Sequence, residues 1–124
     1  MRSKALSAFI LGLAIALPGA ASAENWKRIK KEADFRNIFV GKKIVFDGGH
    51  GVVRANGKTD GKLNSGGGYH GSWVWSKRMY CRNLIINKKE TGTACLKVEM
   101  DGNNVRMTHM TGARKGRVTT GVLK

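Results

Sequence analysis

The chain has 124 residues, of which 23 are lysine or arginine and eight are aspartate or glutamate, giving a formal net charge of +15. This length excludes more than one domain of ordinary size. The eight acidic residues lie mostly beside bases or in turns, and none forms a carboxylate pair spaced for acid–base catalysis.

Residues 1–23 have the three parts of a secretory signal peptide. Arg2 and Lys4 precede an apolar run, residues 5–17, and Ala21-Ser22-Ala23 ends in the small residues of a cleavage site. The apolar run is shorter than the ~20 residues that a membrane-spanning helix needs. We therefore expect a cleavable signal, a periplasmic or secreted protein and no transmembrane span.

The remaining residues, 24–124, are strongly basic. They hold 21 lysines and arginines against eight acids, a net charge of +13. Such a charge attracts anionic partners, although a merely solubilising surface explains it equally well. The candidate anion-binding residues are those in local basic runs along the chain: Lys42, Lys43, Lys77, Arg78, Lys88, Lys89, Arg114, Lys115 and Arg117.

Residues 24–41 predict one helix or two short ones, packed on the sheet that follows. Apolar residues recur at helical spacing. Asp34 is a candidate N-cap for a second helix, and Gly41 a candidate left-handed end. A helix lying on a membrane surface is the alternative. The apolar residues in question are Trp26, Ile29, Ala33, Phe35, Ile38 and Phe39.

Residues 42–124 predict a mainly β domain. Alternating apolar and polar residues are separated by turn signals such as Asn56-Gly57, roughly every ten residues. This spacing predicts a seven- to eight-stranded antiparallel meander that forms a small barrel or a sandwich. The predicted strands cover residues 43–47, 52–55, 58–63, 69–76, 79–87, 93–100, 105–110 and 118–123.

The two cysteines, Cys81 and Cys95, are predicted to form a disulfide. In an exported protein an isolated pair usually does so, and two free thiols are the alternative. The residue midway between them is Lys88, at the edge of a predicted turn over Lys88–Gly92. The cysteines would therefore face each other on the two strands of one hairpin.

Tyr69, Trp73 and Trp75 share one face of a predicted strand, either as barrel core or as a platform that stacks on sugars or bases. The preceding glycines, from Ser65 to Gly71, lack the helix and the Lys-Ser/Thr pair of a phosphate loop. We interpret them as a turn that also leaves room beneath the indole rings.

No metal site, cofactor or catalytic group is predicted. His50, His70 and His109 lie on different elements without metal-ligand spacing, and His109 falls on the apolar face of its strand. Ser72 lacks an evident His and Asp partner. We therefore expect a protein that is not an enzyme.

Several motifs together resemble a group of small exported alphaproteobacterial proteins, often described as dihydrodipicolinate reductases. The most specific are Gly71-Ser72-Trp73-x-Trp75 and Cys81-Arg82-Asn83-Leu84, and the resemblance covers nearly all of residues 24–124. A reductase of that name needs a nucleotide-binding βαβ unit with a glycine fingerprint, which a β-meander of about 100 residues does not supply. The resemblance therefore implies neither that activity nor any site residue.

Three functions remain open for what we expect to be a monomer. The first is a non-enzymatic module that binds an anionic envelope polymer, a lipid headgroup or an acidic protein, with nucleic acid less favoured. The second is an inhibitor of a secreted hydrolase that presents loops at Gly48–Gly51, Ser65–Gly68 or Lys88–Gly92. The third is a barrel that holds a small ligand, although the short chain and three tryptophans are expected to fill much of its interior.

Overall fold

A computed structural model describes residues 24–124, so the predicted signal peptide, residues 1–23, lies outside the described part of the chain. The described part contains one helix, α1 (Glu32–Phe39), and nine strands. The strands are β1 (Lys27–Arg28), β2 (Lys43–Phe46), β3 (Gly49–Val53), β4 (Lys58–Leu63), β5 (Gly68–Ser76), β6 (Met79–Ile86), β7 (Lys89–Asp101), β8 (Asn104–His109) and β9 (Val118–Leu123).

Strands β2 to β9 form a closed antiparallel barrel, which decides between the two predicted architectures. Each strand pairs with the next one in the chain, and the last pairs back with the first. Val45 of β2 therefore faces His50 of β3 on one side and Val122 of β9 on the other. Because the barrel closes, each of its strands has a hydrogen-bonded neighbour on both sides.

The segment before the barrel contains a short strand and a single short helix. Strand β1 pairs with the end of β7, with Arg28 opposite Glu99. The helix begins after Lys31, which makes no side-chain cap, so the prediction of Asp34 as an N-cap was wrong. Asp34 instead lies in the first turn, where its charge suits the helix dipole. Gly41, with φ +81°, follows the helix end as expected.

Helix α1 plugs one end of the barrel with aromatic side chains. Phe35 and Phe39 are both fully buried. The ring of Phe35 lies 5.2 Å from Tyr80, 5.4 Å from Trp73 and 4.9 Å from Trp75, measured between centroids. The helix therefore packs on the core, as predicted in preference to a membrane-surface helix. We call this end of the barrel the helix end and the opposite one the open end.

The disulfide between Cys81 and Cys95 joins directly opposed residues of β6 and β7. Because neighbouring side chains alternate across a strand, the bridge lies on the outer wall while Tyr80 and Arg82 project inward. The connecting turn is shorter than predicted. Asn87 and Lys88 form it, with φ of 49° and 72°, and the residues from Lys89 to Gly92 already belong to β7. Two consecutive left-handed residues give the turn that matches the strand twist.

Among the described residues, no helix combines the length and the apolar composition that a bilayer crossing requires.

Candidate functional site in the barrel interior

A cavity of about 460 Å³ occupies the barrel between the aromatic plug and the open end. Its inner end is formed by Val53, Tyr80 and Leu96. Its walls are mostly aliphatic and aromatic, with six such residues from five strands: Ile44, Phe46, Leu63, Leu84, Met107 and Val118. Small-molecule sites are typically concave, mainly apolar and roughly 300–1,000 Å³ in volume.

Two inward-facing glycines make room for the ring of Tyr69 inside the barrel. Gly51 on β3 and Gly61 on β4 contribute no side chain to the interior. The ring of Tyr69 lies against both of them, and a Cβ at either position would overlap it. Because Gly51 and Gly61 lack side chains, the phenol ring of Tyr69 can pack directly against the backbone of the barrel wall.

The three tryptophans do not fill the barrel, contrary to the expectation from the sequence. Trp73 is buried at the helix end, where its Nε1 donates to the carbonyl of Arg54 at 3.0 Å. Trp75 lies half-buried against Phe35. Trp26 lies outside the barrel, with the Arg106 guanidinium 4.6 Å from its ring centroid. The interpretation of the aromatic row as core is therefore correct for Trp73, whereas Tyr69 lines the cavity.

Arg82 brings a positive charge into this apolar space. It lies on β6 and lines the cavity together with Tyr80 and Leu84, its neighbours on the inward face of the strand. Burial lowers the pKa of Arg82, but arginine keeps its proton in proteins. Arg82 takes part in none of the ion pairs formed within residues 24–124, which join Arg36 to Glu32, Arg54 to Asp60, and both Lys97 and Arg106 to Glu99.

His109 makes a polar contact with this guanidinium. Its Nε2 lies 3.4 Å from Nη2 of Arg82, and its Nδ1 lies 3.3 Å from the carbonyl oxygen of Arg117. Because a guanidinium only donates, Nε2 must accept and Nδ1–H must donate to the carbonyl. Burial, and then the charge of Arg82, lowers the pKa of His109 and favours this neutral form.

Two phenols add neutral hydrogen-bonding groups to the cavity. Burial raises the pKa of Tyr69 to about 12 and also raises the pKa of Tyr80. Both hydroxyls therefore keep their protons at neutral pH and remain able to donate. Cationic and neutral donors facing a common space can bind an anion, because each N–H or O–H points its positive end at the added charge.

The basic residues predicted from the sequence divide between the two ends of the barrel. Arg114 and Arg117, in the loop between β8 and β9, line the cavity at its open end. Lys115 belongs to the same loop, Lys88 to the turn between β6 and β7, and Lys89 to the start of β7. The four others are at the helix end, before or at the start of β2 and in the turn from β5 to β6: Lys42, Lys43, Lys77 and Arg78.

The sequence interpretation missed Arg82 as a site residue. The signal was present, since Tyr80, Arg82, Leu84 and Ile86 alternate with Cys81, Asn83 and Ile85 and so share one face of β6. A lone arginine on an otherwise apolar inward face indicates a buried charge. The position of His109 on the same face as Val105 and Met107 was predicted correctly.

The other histidines lie apart from the cavity. His50 and His70 alternate with the inward glycines and Tyr69 and lie on the outer wall. Within residues 24–124, no group of three or more histidine, cysteine, aspartate or glutamate side chains is placed to hold a metal. Ser72 is exposed, and its backbone N–H donates to Asn83 Oδ1 at 3.1 Å.

Comparison with known proteins gave no match to a protein-family model, to a curated protein or to a solved structure. The resemblance to small exported alphaproteobacterial proteins therefore stays a prediction.

Proposed function

We propose that this protein is a non-enzymatic binding protein for a small amphipathic anion and acts outside the cytoplasm. The apolar body of the ligand occupies the barrel interior, and its anionic head group sits against Arg82. This proposal combines two of the possibilities raised by the sequence, a small ligand inside the barrel and an anionic partner for the basic residues.

The observation that carries the proposal is the guanidinium of Arg82 inside an apolar cavity without a carboxylate partner among the described residues. Removing a charge from water is costly unless a counter-charge or several hydrogen bonds compensate it. A carboxylate, sulfate or phosphate head group provides both. The neutral imidazole of His109 accepts from the guanidinium but supplies no charge.

The cavity walls support the second half of the proposal. The groups on the approach from the open end are mostly apolar, including Phe46, Leu63, Leu84 and Val118. A purely polar anion would leave these surfaces in contact with water, whereas an alkyl or aromatic body covers them. Burial of apolar area contributes about 25 cal/mol per Å², so the body of the ligand supplies affinity and the head group supplies selectivity.

The location of the protein is part of the proposal. The predicted signal in residues 1–23 directs export, and the Cys81–Cys95 disulfide suits an oxidising compartment. The periplasm or the medium meets both conditions.

The proposal of a hydrolase inhibitor has less support. Two of its three candidate loops fall largely within strands, because Gly49–Val53 forms β3 and Lys89–Asp101 forms β7. The turns that remain there have two residues each and project little beyond the barrel. A diffuse polyanion site also has less support, since the predicted basic residues lie at opposite ends of the molecule.

A competition experiment tests the proposed function. The protein is loaded with the fluorescent anion anilinonaphthalene sulfonate, which is then displaced by decanoate, decyl sulfate or the uncharged decanol. We expect the two anions to bind about tenfold more tightly than decanol, because a hydrogen bond to a charged group contributes roughly 1.5–3 kcal/mol. Arg82→Met should remove this preference, whereas Arg78→Met at the helix end should preserve it. Equal affinities for decanoate and decanol in the unmodified protein would exclude an anion site in the barrel.

A further inference from the structure

We propose that the open end of the barrel docks on the surface of an anionic membrane. The docking surface consists of the loop 110–117 together with Lys88 in the turn between β6 and β7 and Lys89 at the start of β7, and we call it the basic rim. This inference goes beyond the proposed function, since it concerns the outer surface of the barrel and can be tested without any ligand in the cavity.

Large exposed apolar side chains lie at both ends of the loop 110–117. Met110 begins the loop and is 40 % exposed, and Val118 follows it and is 52 % exposed. Val118 pairs with Thr108 at the start of β9 and lines the cavity. Such aliphatic groups beside a basic loop are available for apolar contact with a partner.

Cations lie between and beside these apolar residues. The loop contributes Arg114, Lys115 and Arg117 and contains no acidic residue. Lys88, in the turn between β6 and β7, and Lys89, the first residue of β7, add two more cations. The acids at this end are Asp47 and Glu90, so the open end is net positive by the count of these seven residues.

The loop holds a defined shape, so these residues keep fixed relative positions. The backbone N–H of Gly116 donates to the carbonyl of His109 at 2.8 Å, and the N–H of Arg117 donates to Arg114 at 2.9 Å. The hydroxyl of Thr111 accepts from the N–H of Cys95 at 3.0 Å and ties the loop to β7. A surface that is already ordered loses less conformational entropy when it binds.

Aliphatic side chains set among cations match an anionic bilayer more closely than they match a nucleic acid. The cations meet lipid phosphates, and the aliphatic groups enter the boundary between headgroups and acyl chains. Proteins that bind single-stranded nucleic acid stack its bases on exposed aromatic rings. Trp73 and Trp75 are instead packed at the helix end, and Tyr69 lies inside the barrel.

Docking in this orientation places the cavity mouth against the membrane. Arg114 and Arg117 belong both to the cavity lining and to the basic rim, so an anionic head group that leaves the bilayer meets these cations before it reaches Arg82. An amphipathic ligand would then pass between membrane and barrel without exposing its apolar body to bulk water.

Sedimentation with vesicles tests the inference through two variants of equal charge. The rim variant carries Lys88→Gln, Lys89→Gln and Lys115→Gln, three positions outside the cavity lining. The control carries Lys42→Gln, Lys43→Gln and Lys77→Gln at the helix end. Each variant loses three charges, and each includes one turn lysine with positive φ, Lys88 or Lys77. Any effect of net charge or of turn strain is therefore matched.

We expect the protein to bind phosphatidylglycerol vesicles and to bind phosphatidylcholine vesicles at least about tenfold more weakly. The rim variant should lose about tenfold in affinity for the anionic vesicles, and the control about twofold or less. Met110→Ser should also weaken binding. An equal loss of vesicle affinity in the two charge variants would overturn the inference and indicate diffuse electrostatic attraction. Tighter binding to DNA or to an acidic protein than to anionic vesicles would also overturn it.

Discussion

Nη2 of Arg82 lies 3.4 Å from Nε2 of His109, across the space between β6 and β8 inside the barrel. The two residues are 27 positions apart in the chain and their strands are not hydrogen-bonded to each other. Both strands pair with β7, where Ala94 lies opposite Arg82 and Leu96 opposite His109, so the contact spans a single intervening strand. It joins a charged guanidinium to a neutral imidazole.

Arg82→Met should make the protein more stable. The substitution replaces a half-buried charge that has no carboxylate partner among the described residues by an apolar side chain of similar length. Replacing buried charges by apolar residues is often neutral or stabilising by about 1–4 kcal/mol. Urea denaturation without ligand measures the change. Arg106→Met is the contrasting variant, since it removes the bidentate pair with Glu99 and should lower stability. Loss of stability on Arg82→Met would mean that the arginine has a structural role.

Stability should fall as the pH is lowered through the range where a free histidine titrates. Burial, and then the charge of Arg82, lowers the pKa of His109 in the folded protein. In the unfolded chain the imidazole of His109 takes up a proton near the usual histidine pKa of about 6.5, whereas in the folded protein it stays neutral at that pH. Acid therefore favours unfolding below that value. The loss begins below about pH 7 and ends once the folded protein also binds the proton.

Urea denaturation at a series of pH values measures this dependence, with the unmodified protein and His109→Gln compared. The variant should flatten the profile in this range, because glutamine does not take up a proton. A profile that is unchanged by His109→Gln would show that burial and Arg82 do not lower the pKa of His109 in the folded protein.

Gly51→Ala should destabilise the barrel by about 1–3 kcal/mol, because a new methyl group overlaps the hydroxyl and ring of Tyr69. The cost should be smaller when Tyr69 is also changed to alanine, since the ring is then absent. A double-mutant cycle from denaturation midpoints measures this coupling. Gly48→Ala, whose Cβ would make only ordinary contact with Phe46 at 3.7 Å, should change stability by less than about 0.5 kcal/mol. Additive effects of the two substitutions would show that Tyr69 does not occupy the space above Gly51.

Loss of the Cys81–Cys95 bridge should lower the free energy of unfolding by about 3 kcal/mol, from the entropy of the 14-residue loop it closes. The double variant Cys81→Ala/Cys95→Ala measures this, and reduction of the unmodified protein should give a similar loss. Decanoate affinity should change little, since the bridge lies on the outer wall and Arg82 keeps its place between Tyr80 and Leu84. A large loss of affinity in a variant that remains folded would show that the bridge positions the cavity wall.

The cavity was only partly foreseeable from the sequence. Alternation on β8 correctly placed His109 on the inward face with Val105 and Met107. Alternation on β6 likewise places Arg82 on the inward face. It does not reveal whether an acidic side chain from another strand faces this arginine. The position of Tyr69 in the cavity wall depends on Gly51 and Gly61 lying beside its ring, which requires the register of three strands.

Local pattern was enough to locate the eight barrel strands, the hairpin of Cys81 and Cys95, and the packing of Phe35 and Phe39. Each of these depends on alternation, helical spacing or turn residues within a short stretch of chain, where backbone geometry leaves few options. Local pattern missed β1, which lies within the segment predicted as helical, and placed the starts of β3 and β7 three or four residues too late. The tertiary structure alone decided three further features: the closure of β9 on β2, the position of Arg82 without a carboxylate partner, and the division of the basic residues between the two ends. The physical reason is that these depend on the summed twist and stagger of eight strands, which determine the neighbours of residues far apart in the chain.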